Sequence, residues 1–226
     1  KGNIGNFVIK KSDIFYKNKF FSDAKLNYAE NLLVKNNNET AVTFKSENGY
    51  KNNLSWKNLN LNVAKISNWM KENGVKKSDR VAAYLPNIPE AVIAYISTAA
   101  LGAIWSSCSP DFGTIGVIER FSQITPKILF IGDKYFYNGK EINILERLSE
   151  ILNKIPSIKK VVIVPYPGTK IKTKNKFKTE IYNWDELINL KKSKNKIQYS
   201  LSNFNDPLAI LYSSGTTGKP KCICHG

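Results

Sequence analysis

The chain has 226 residues, and 42% of them are hydrophobic, so it is long enough and apolar enough to bury a core, and disorder is disfavoured. Its 34 basic and 18 acidic residues give a formal net charge of +16. Only three of the basic residues are arginines and the lysines are scattered, which favours a lysine-rich solvated surface over a nucleic-acid-binding face.

Cysteine usage and hydropathy predict a cytoplasmic protein. The three cysteines Cys108, Cys222 and Cys224 form an odd set, which argues against a disulfide framework and for a reducing compartment. No leader pattern opens the sequence, and no stretch approaches the roughly 18 unbroken apolar residues of a membrane span. Because the sequence starts at Lys1 and ends at Gly226 without a turn signal, we expect a piece of a longer protein.

The first predicted elements are short. Apolar residues at helical spacing predict a brief helix within residues 26–33. Residues 39–56 read as a hairpin whose turn is Asn48-Gly49. Ser55 then caps a predicted amphipathic helix that ends at Gly74.

Beyond Gly74, strands and helices alternate. The predicted strands are 80–86, 103–107, 127–132, 159–165 and 207–212, and the predicted helices are 89–102, 114–124 and 141–155. Because the strands are continuous apolar runs, the sequence predicts an α/β fold with a buried parallel sheet flanked by helices. Residues 166–196 break the rhythm, so we expect a surface excursion with a short helix near 184–190 and a lysine-rich exposed insertion at 170–178.

The last predicted strand leads directly into a loop built for an anion. Glycine lets the backbone bend and approach a ligand, freed amides form an anion-binding concavity, and hydroxyls and lysines add donors and charge. The sequence therefore predicts a site for the phosphates of a nucleotide at the carboxyl end of this strand. Its residues are Ser213, Ser214, Gly215, Thr216, Thr217, Gly218, Lys219, Pro220 and Lys221.

Two other interpretations of the loop fit less well. A P-loop requires Gly five positions before Gly218 and Ser or Thr after Lys219, but Ser213 and Pro220 stand there. A flexible linker between domains would not normally follow an apolar strand or end in Lys-Pro-Lys.

The sequence YSSGTTGKPK (212–221) resembles the phosphate-binding motif of the adenylate-forming enzymes, which include acyl-CoA synthetases, luciferases and the adenylation domains of peptide synthetases. LNYAENLL (26–33) is similar to the amino-terminal segment of the acetyl-CoA synthetase branch. Four stretches resemble the branch that activates acetoacetate: WSSCSPDFG (105–113), ERFSQITPKILF (119–130), YNGKE (137–141) and PKCICHG (220–226). The likeness covers nearly the whole chain and is weakest over 166–202.

This resemblance implies a two-step ligase in which acetoacetate attacks the α-phosphorus of Mg²⁺-ATP and the thiol of CoA then displaces AMP. It assigns the ATP phosphates to Ser213, Ser214, Gly215, Thr216, Thr217 and Lys221, and puts Lys219 at a variable position. It further suggests that the turn carrying Gly139 and Lys140 approaches CoA, although a solvated lysine at a helix start explains Lys140 equally well.

The resemblance also implies a domain organisation. Residues 1–38 correspond to an amino-terminal segment and 39–226 to the first part of an AMP-binding domain. The catalytic lysine, the ribose- and Mg²⁺-binding residues and the mobile carboxyl-terminal domain are expected after Gly226, so the chain alone should be inactive. Alternatives are an acetyl- or propionyl-CoA synthetase-like ligase, a nucleotide-binding module without ligase activity, and a basic nucleic-acid binder.

The remaining candidate residues favour structural roles. Cys222, Cys224 and His225 spell C-x-C-H, but three ligands within four residues make a poor zinc site, so a buried strand is favoured. Cys108 has no recognisable general base beside it. Asp111 and the pair Glu119-Arg120 are expected to brace the next helix, and the tryptophans Trp56 and Trp69 to pack.

Overall fold

A computed structural model describes residues 1–169, 178–190, 195–213 and 218–226. In this part of the chain the strands are β1 Ile9–Lys10, β2 Lys19–Phe20, β3 Lys25–Leu26, β4 Thr40–Lys45, β5 Lys51–Ser55, β6 Arg80–Tyr84, β7 Ile104–Cys108, β8 Ile128–Gly132, β9 Lys134–Tyr137, β10 Lys140–Asn143, β11 Lys160–Val164, β12 Glu180–Asn183, β13 Ser202–Asn203, β14 Ala209–Tyr212 and β15 Cys222–His225. The helices are α1 Tyr28–Leu32, α2 Trp56–Glu72, α3 Pro89–Ala100, α4 Thr114–Ile124, α5 Leu148–Lys154 and α6 Trp184–Ile188, with 3-10 turns at Phe15–Lys17 and Leu145–Arg147.

The central sheet has seven strands in the order β12-β11-β8-β6-β7-β14-β15. All neighbouring strands are parallel except β15, which runs antiparallel to β14. The predicted α/β fold with a parallel sheet is therefore confirmed.

Helices cover both faces of the sheet. Every residue of β8 is buried, which requires cover on both sides because successive side chains alternate between faces. One group of helices consists of α2 packed against α3 and α6, and a second consists of α4 packed against α5.

Helix ends follow the capping residues that the sequence supplies. The Ser55 hydroxyl accepts a hydrogen bond from the Asn58 amide at 3.2 Å at the start of α2, and Gly74 follows its end with a φ of +83°. Pro89 occupies the first turn of α3, where its missing amide hydrogen costs nothing. These caps fix the lengths of the two predicted helices.

The predicted helix over 141–155 is wrong in its first half. Residues 134–143 form the hairpin β9–β10, and only Leu148–Lys154 is helical. The reason is the Asn138-Gly139 turn, where both residues have positive φ, +49° and +72°, as a tight hairpin requires.

Part of the surface excursion predicted over 166–196 belongs to the folded core. Strand β12 extends the sheet in parallel with β11, and α6 buries Trp184 and Leu187 against the core. The expected helix near 184–190 is thus present. Most of the lysine-rich insertion, residues 170–177, lies outside the described residues.

The segment after the loop forms a strand as predicted, but it is not buried. All four residues of β15 are exposed, because β15 is the edge of the sheet and pairs with β14 alone in the described part of the chain. Leu211 and Ile223 are direct cross-strand partners and are 46% and 44% exposed.

The amino-terminal segment packs on the rest of the fold. Helix α1 contacts α3, and the buried Asn27 side chain donates to the carbonyl oxygens of Ala99, Ala100 and Ser200 at 3.0, 3.0 and 2.8 Å. No helix among the described residues is long and apolar enough to cross a membrane.

Candidate functional site at the carboxyl edge of the sheet

The loops after four strands meet at one edge of the sheet. Strands β6, β7 and β14 are adjacent and parallel, so the connections that follow Tyr84, Cys108 and Tyr212 leave from the same side. Strand β8 lies next to β6 and is followed at this edge by the β9–β10 hairpin. Ligands of parallel α/β sheets bind at this edge, which makes it the candidate site.

The ends of the predicted phosphate loop are joined to each other. The Ser213 amide donates to the Lys221 carbonyl oxygen at 3.0 Å, and the Lys221 amide donates to the Ser213 hydroxyl at 3.4 Å. Lys219 and Lys221 are exposed, whereas Pro220 is buried and its carbonyl oxygen accepts from the Gln123 side chain at 2.9 Å. The other predicted phosphate ligands, Ser214, Gly215, Thr216 and Thr217, lie outside the described residues.

Polar and aromatic contacts hold the strand that leads into this loop. The Ser106 hydroxyl lies 2.9 Å from the Ile210 carbonyl oxygen and 3.0 Å from the Tyr212 hydroxyl. The Arg120 guanidinium lies 5.8 Å from the centre of the Tyr212 ring and 4.0 Å from that of Phe112. Helix α4 therefore braces the start of the loop. Arg120 lies within α4 and contacts these two rings, rather than only bracing the helix as expected.

A cavity of about 530 Å³ opens at the same edge. Its lining includes the end of β7 at Ser107 and Cys108, the connection after β7 at Asp111, and the aromatic strand β9 at Tyr135 and Tyr137. Its mixed aromatic and polar wall suits an elongated organic ligand with a few hydrogen-bonding groups.

Gly139 and Lys140 lie at the turn of the hairpin whose β9 strand forms a wall of this cavity. Both residues are exposed. The turn precedes strand β10 rather than a helix, so the explanation of Lys140 as a lysine at a helix start is wrong.

Asp133 anchors the base of the hairpin, a role that the sequence did not reveal. Its carboxylate accepts from the Tyr166 amide at 2.8 Å, and its carbonyl oxygen accepts from the amides of Ile144 and Leu145 at 3.0 and 3.2 Å. Burial raises the pKa of this carboxyl group, and the Tyr166 amide opposes that rise. The only signal for this role in the sequence was an acidic residue directly after an apolar strand.

Cys108 lines the cavity without the properties of a nucleophile. Burial raises the pKa of its thiol to about 12, so the thiol stays protonated at neutral pH. The absence of a nucleophilic role for Cys108 stays a prediction.

The C-x-C-H sequence does not gather three ligands. Successive side chains of a strand point to opposite faces, so Cys222 and Cys224 share one face of β15 while His225 belongs to the other. Among the described residues, no group of three or more His, Cys, Asp or Glu side chains is placed to hold a metal ion.

Sequence reasoning also missed a contact between Tyr84 and Arg147. The Arg147 guanidinium donates to the Tyr84 hydroxyl and to the carbonyl oxygens of Pro110 and Phe112, which belong to the connection after β7. These residues lie far apart in sequence, so no local pattern announces the contact.

The fold and the position of these loops define an α/β domain of the class that binds ligands at the carboxyl edge of a parallel sheet. The AMP-binding enzyme family matches residues 30–226. The chain therefore belongs to this family.

Within this family, the chain is similar to several acetoacetyl-CoA synthetases. Acetoacetyl-CoA synthetase of Macaca fascicularis is 40% identical over 210 residues, which are 91% of this chain and 31% of the relative. Acetoacetyl-coenzyme A synthetase of Rhizobium meliloti (strain 1021) is 37% identical over 224 residues, 99% of this chain and 34% of the relative. The solved acetoacetyl-CoA synthetase from Streptomyces lividans superposes with a TM-score of 0.87 at 34% identity, covering 99% of this chain and 33% of that one. The chain thus spans about a third of the length of these relatives, and the predicted resemblance is confirmed.

Proposed function

We propose that this chain is the amino-terminal part of an AMP-forming ligase that joins acetoacetate to CoA through an acyl-adenylate. The observation that carries the proposal is the Ser213–Lys221 loop at the carboxyl end of a parallel strand, in a chain similar to acetoacetyl-CoA synthetases along 91% or more of its length. Residues 1–38 are its amino-terminal segment and 39–226 the first part of its AMP-binding domain.

In the first half-reaction, a carboxylate oxygen of acetoacetate attacks the α-phosphorus of ATP, and the bond to pyrophosphate breaks. Negative charge grows on the departing pyrophosphate, and preset amide, hydroxyl and ammonium donors stabilise such charge. We assign this role to Ser213, Ser214, Gly215, Thr216, Thr217 and Lys221. The two hydrogen bonds between Ser213 and Lys221 support it, because they hold both ends of the loop together.

In the second half-reaction, the CoA sulfur attacks the acyl carbon and AMP leaves with the bonding electrons. We propose that CoA reaches the acyl-adenylate through the 530 Å³ cavity, along the hairpin turn that carries Gly139 and Lys140. The exposed ammonium of Lys140 suits the phosphates of CoA, and the aromatic β9 strand suits its uncharged arm.

ATP is expected as its Mg²⁺ complex, in which the metal neutralises phosphate charge. As the resemblance implies, its protein ligands are proposed to follow residue 226. The activity is accordingly proposed for the longer protein that carries this chain.

The experiment is pyrophosphate exchange into ATP by the purified full-length protein. We expect exchange with acetoacetate and little with acetate or propionate, and acetoacetyl-CoA once CoA is added. Pyrophosphate exchange driven by acetate or propionate would contradict the proposal that acetoacetate is the substrate. ATP binding without exchange for any acid would favour a nucleotide-binding module instead.

A nucleic-acid role has a separate outcome. It predicts salt-sensitive binding of DNA tighter than that of ATP, because phosphate contacts release counterions. We expect the reverse order of affinity in a titration of both ligands at the same salt concentration.

A further inference from the structure

The connection between β7 and α4, residues 109–113, joins the two parts of the candidate site. Ser109, Pro110 and Asp111 line the cavity, while the next residue, Phe112, lies under the Arg120 guanidinium. We call these five residues the 109–113 segment. Its position allows it to influence both the cavity and the strand that leads into the phosphate loop.

Two side chains from other elements hold the carbonyl oxygens of this segment. Arg147, in the turn after the hairpin, donates to the Pro110 and Phe112 carbonyl oxygens at 3.1 and 3.0 Å. The Tyr84 hydroxyl, at the end of β6, lies 3.1 and 2.5 Å from the same two oxygens and also accepts from Arg147. The segment is thus fixed from the hairpin side and from the sheet side together.

Burial makes these contacts hard to replace. Tyr84 is fully buried, so its hydroxyl needs partners inside the protein. Burial raises the pKa of this phenol and nearby Arg147 only partly offsets the rise, so Tyr84 keeps its proton at neutral pH. Without Arg147, Tyr84 alone would remain to hold the Pro110 and Phe112 carbonyl oxygens. Its hydroxyl has a single hydrogen, which can donate well to only one of them.

The use of arginine here is informative in a lysine-rich chain. Only three of the 34 basic residues are arginines, and all three contact α4 or the segment that precedes it. All three contacts of Arg147 are made by one guanidinium nitrogen, Nη1, which the rigid planar group holds in a fixed place. A lysine ammonium could reach the same acceptors, but its flexible stem does not hold it in one geometry.

We propose that Arg147 and Tyr84 are positioning residues that hold the 109–113 segment in the shape needed for CoA to enter the cavity. This inference rests on the proposed function and deepens it, because it assigns residues to the second half-reaction. Neither side chain is proposed to touch a reacting atom. Their loss is expected to weaken thioester formation more than adenylation.

The test compares Arg147→Met, Arg147→Lys and Tyr84→Phe in the full-length protein. For Arg147→Met we expect KM for CoA to rise about tenfold or more, with acetoacetate-dependent pyrophosphate exchange changed by no more than about threefold, since a misplaced wall affects only the substrate that it guides. Arg147→Lys should recover part of the loss. Tyr84→Phe should have a smaller effect of the same kind, because Arg147 still reaches both carbonyl oxygens.

Arg80→Met is the matched control. Arg80 donates to the Ile124 and Thr125 carbonyl oxygens at 2.7 and 3.3 Å, at the other end of α4. It lies at the start of β6, opposite the edge where the cavity opens, and does not line the cavity. We expect this variant to lower Tm without separating the two half-reactions. An equal loss of both half-reactions in Arg147→Met, or the same separation in Arg80→Met, overturns the proposal.

Amide hydrogen exchange provides a readout that does not depend on activity. In Arg147→Met and Tyr84→Phe, we expect faster exchange in the 109–113 segment and unchanged exchange in β8. Unchanged exchange in the segment overturns the positioning role whatever the kinetics show. A wild-type protein that makes neither acyl-adenylate nor thioester overturns the proposed function, and with it the CoA assignment, even if the exchange result holds.

Discussion

At the scale of single residues, two lysines of the phosphate loop are expected to differ in function. The main chain of Lys221 is bonded to Ser213 at the closed base of the loop, whereas Lys219 lies in the exposed turn before Pro220. Lys221 is therefore tied by its main chain to the base of the loop in which a triphosphate is proposed to bind.

We expect Lys221→Ala to lower kcat/KM for ATP about 100-fold in pyrophosphate exchange, on the order of 3 kcal/mol of transition-state stabilisation. Lys219→Ala, the matched control, should change it less than about twofold, because the resemblance puts Lys219 at a variable position of the motif. Similar losses in both variants would contradict the assignment of Lys221.

A second prediction concerns Glu90, at the start of α3. Burial raises the pKa of its carboxyl group to about 7, and the nearby Asp185 charge adds to the rise. One of its carboxyl oxygens is buried without a hydrogen-bond partner among the described residues. Because the folded protein prefers the protonated form, this group stabilises fully below its ordinary pKa of 4.5, and the effect is lost as pH rises through 7.

Glu90→Gln should therefore raise the free energy of unfolding at pH 8 relative to wild type, by up to about 3 kcal/mol, and give little gain at pH 4.5. Denaturant unfolding at both pH values measures the difference. Glu72→Gln, on an exposed helix end, serves as the control for the loss of a negative charge outside the core. A gain for Glu90→Gln that is independent of pH would show that burial of the charge is not the cause.

At the scale of elements, the β9–β10 hairpin depends on its turn. Gly139 has a φ of +72°, and a Cβ added there would meet nothing within 4 Å, so only the backbone opposes a larger residue. Left-handed backbone costs an L-residue about 1–2 kcal/mol.

We expect Gly139→Ala to destabilise the hairpin by about 1 kcal/mol and to raise KM for CoA, if the turn approaches CoA as proposed. Asn138→Gly is the control, because glycine accepts the φ of +49° at that position without strain. Thermal unfolding and CoA kinetics check the pair. A Gly139→Ala variant with lowered stability and unchanged KM would remove the turn from the CoA site.

How far the sequence predicts the elements depends on whether their signals are local. The alternating strands and helices of the core were predictable because apolar runs and caps lie within each element. The β9–β10 hairpin was missed although Asn138-Gly139 is a strong turn signal, since the apolar spacing of the following residues resembles a helix. Strand β12, EIYN, was missed because its four residues carry no clear strand signal. Its hydrogen-bonded pairing with β11 is what makes it a strand.

The site divides in the same way. The proposed phosphate loop is contiguous in sequence, so residue types alone were enough to predict a phosphate site there. That site stays a prediction, because Ser214, Gly215, Thr216 and Thr217 lie outside the described residues. The Arg147–Tyr84 contact spans 63 positions and the Arg147–Pro110 contact 37, and such distances are closed by the fold rather than by any local pattern.

At the scale of the whole molecule, Asn27 ties the amino-terminal segment to the sheet domain. Its side chain donates to three carbonyl oxygens in two distant parts of the chain and accepts from the Glu30 amide at 3.2 Å. Because Asn27 is 2% exposed, water cannot replace these bonds without a rearrangement.

We expect Asn27→Ala to lower the free energy of unfolding by about 3 kcal/mol and Asn31→Ala, an exposed neighbour, by less than about 1 kcal/mol. Denaturant titration followed by both fluorescence and circular dichroism measures the loss. If residues 1–38 were an independent unit, Asn27→Ala would instead leave the main transition in place.

The exposed pair Leu211 and Ile223 on the last two strands has a practical consequence. The outer edge of β15 has backbone amides and carbonyls without a neighbouring strand in the described part of the chain. The apolar side chains of Leu211 and Ile223 are exposed beside it. At high concentration, the isolated 226-residue chain is expected to self-associate through this exposed edge strand. Dilute samples, or a lysine placed at Ile223, should keep it monodisperse.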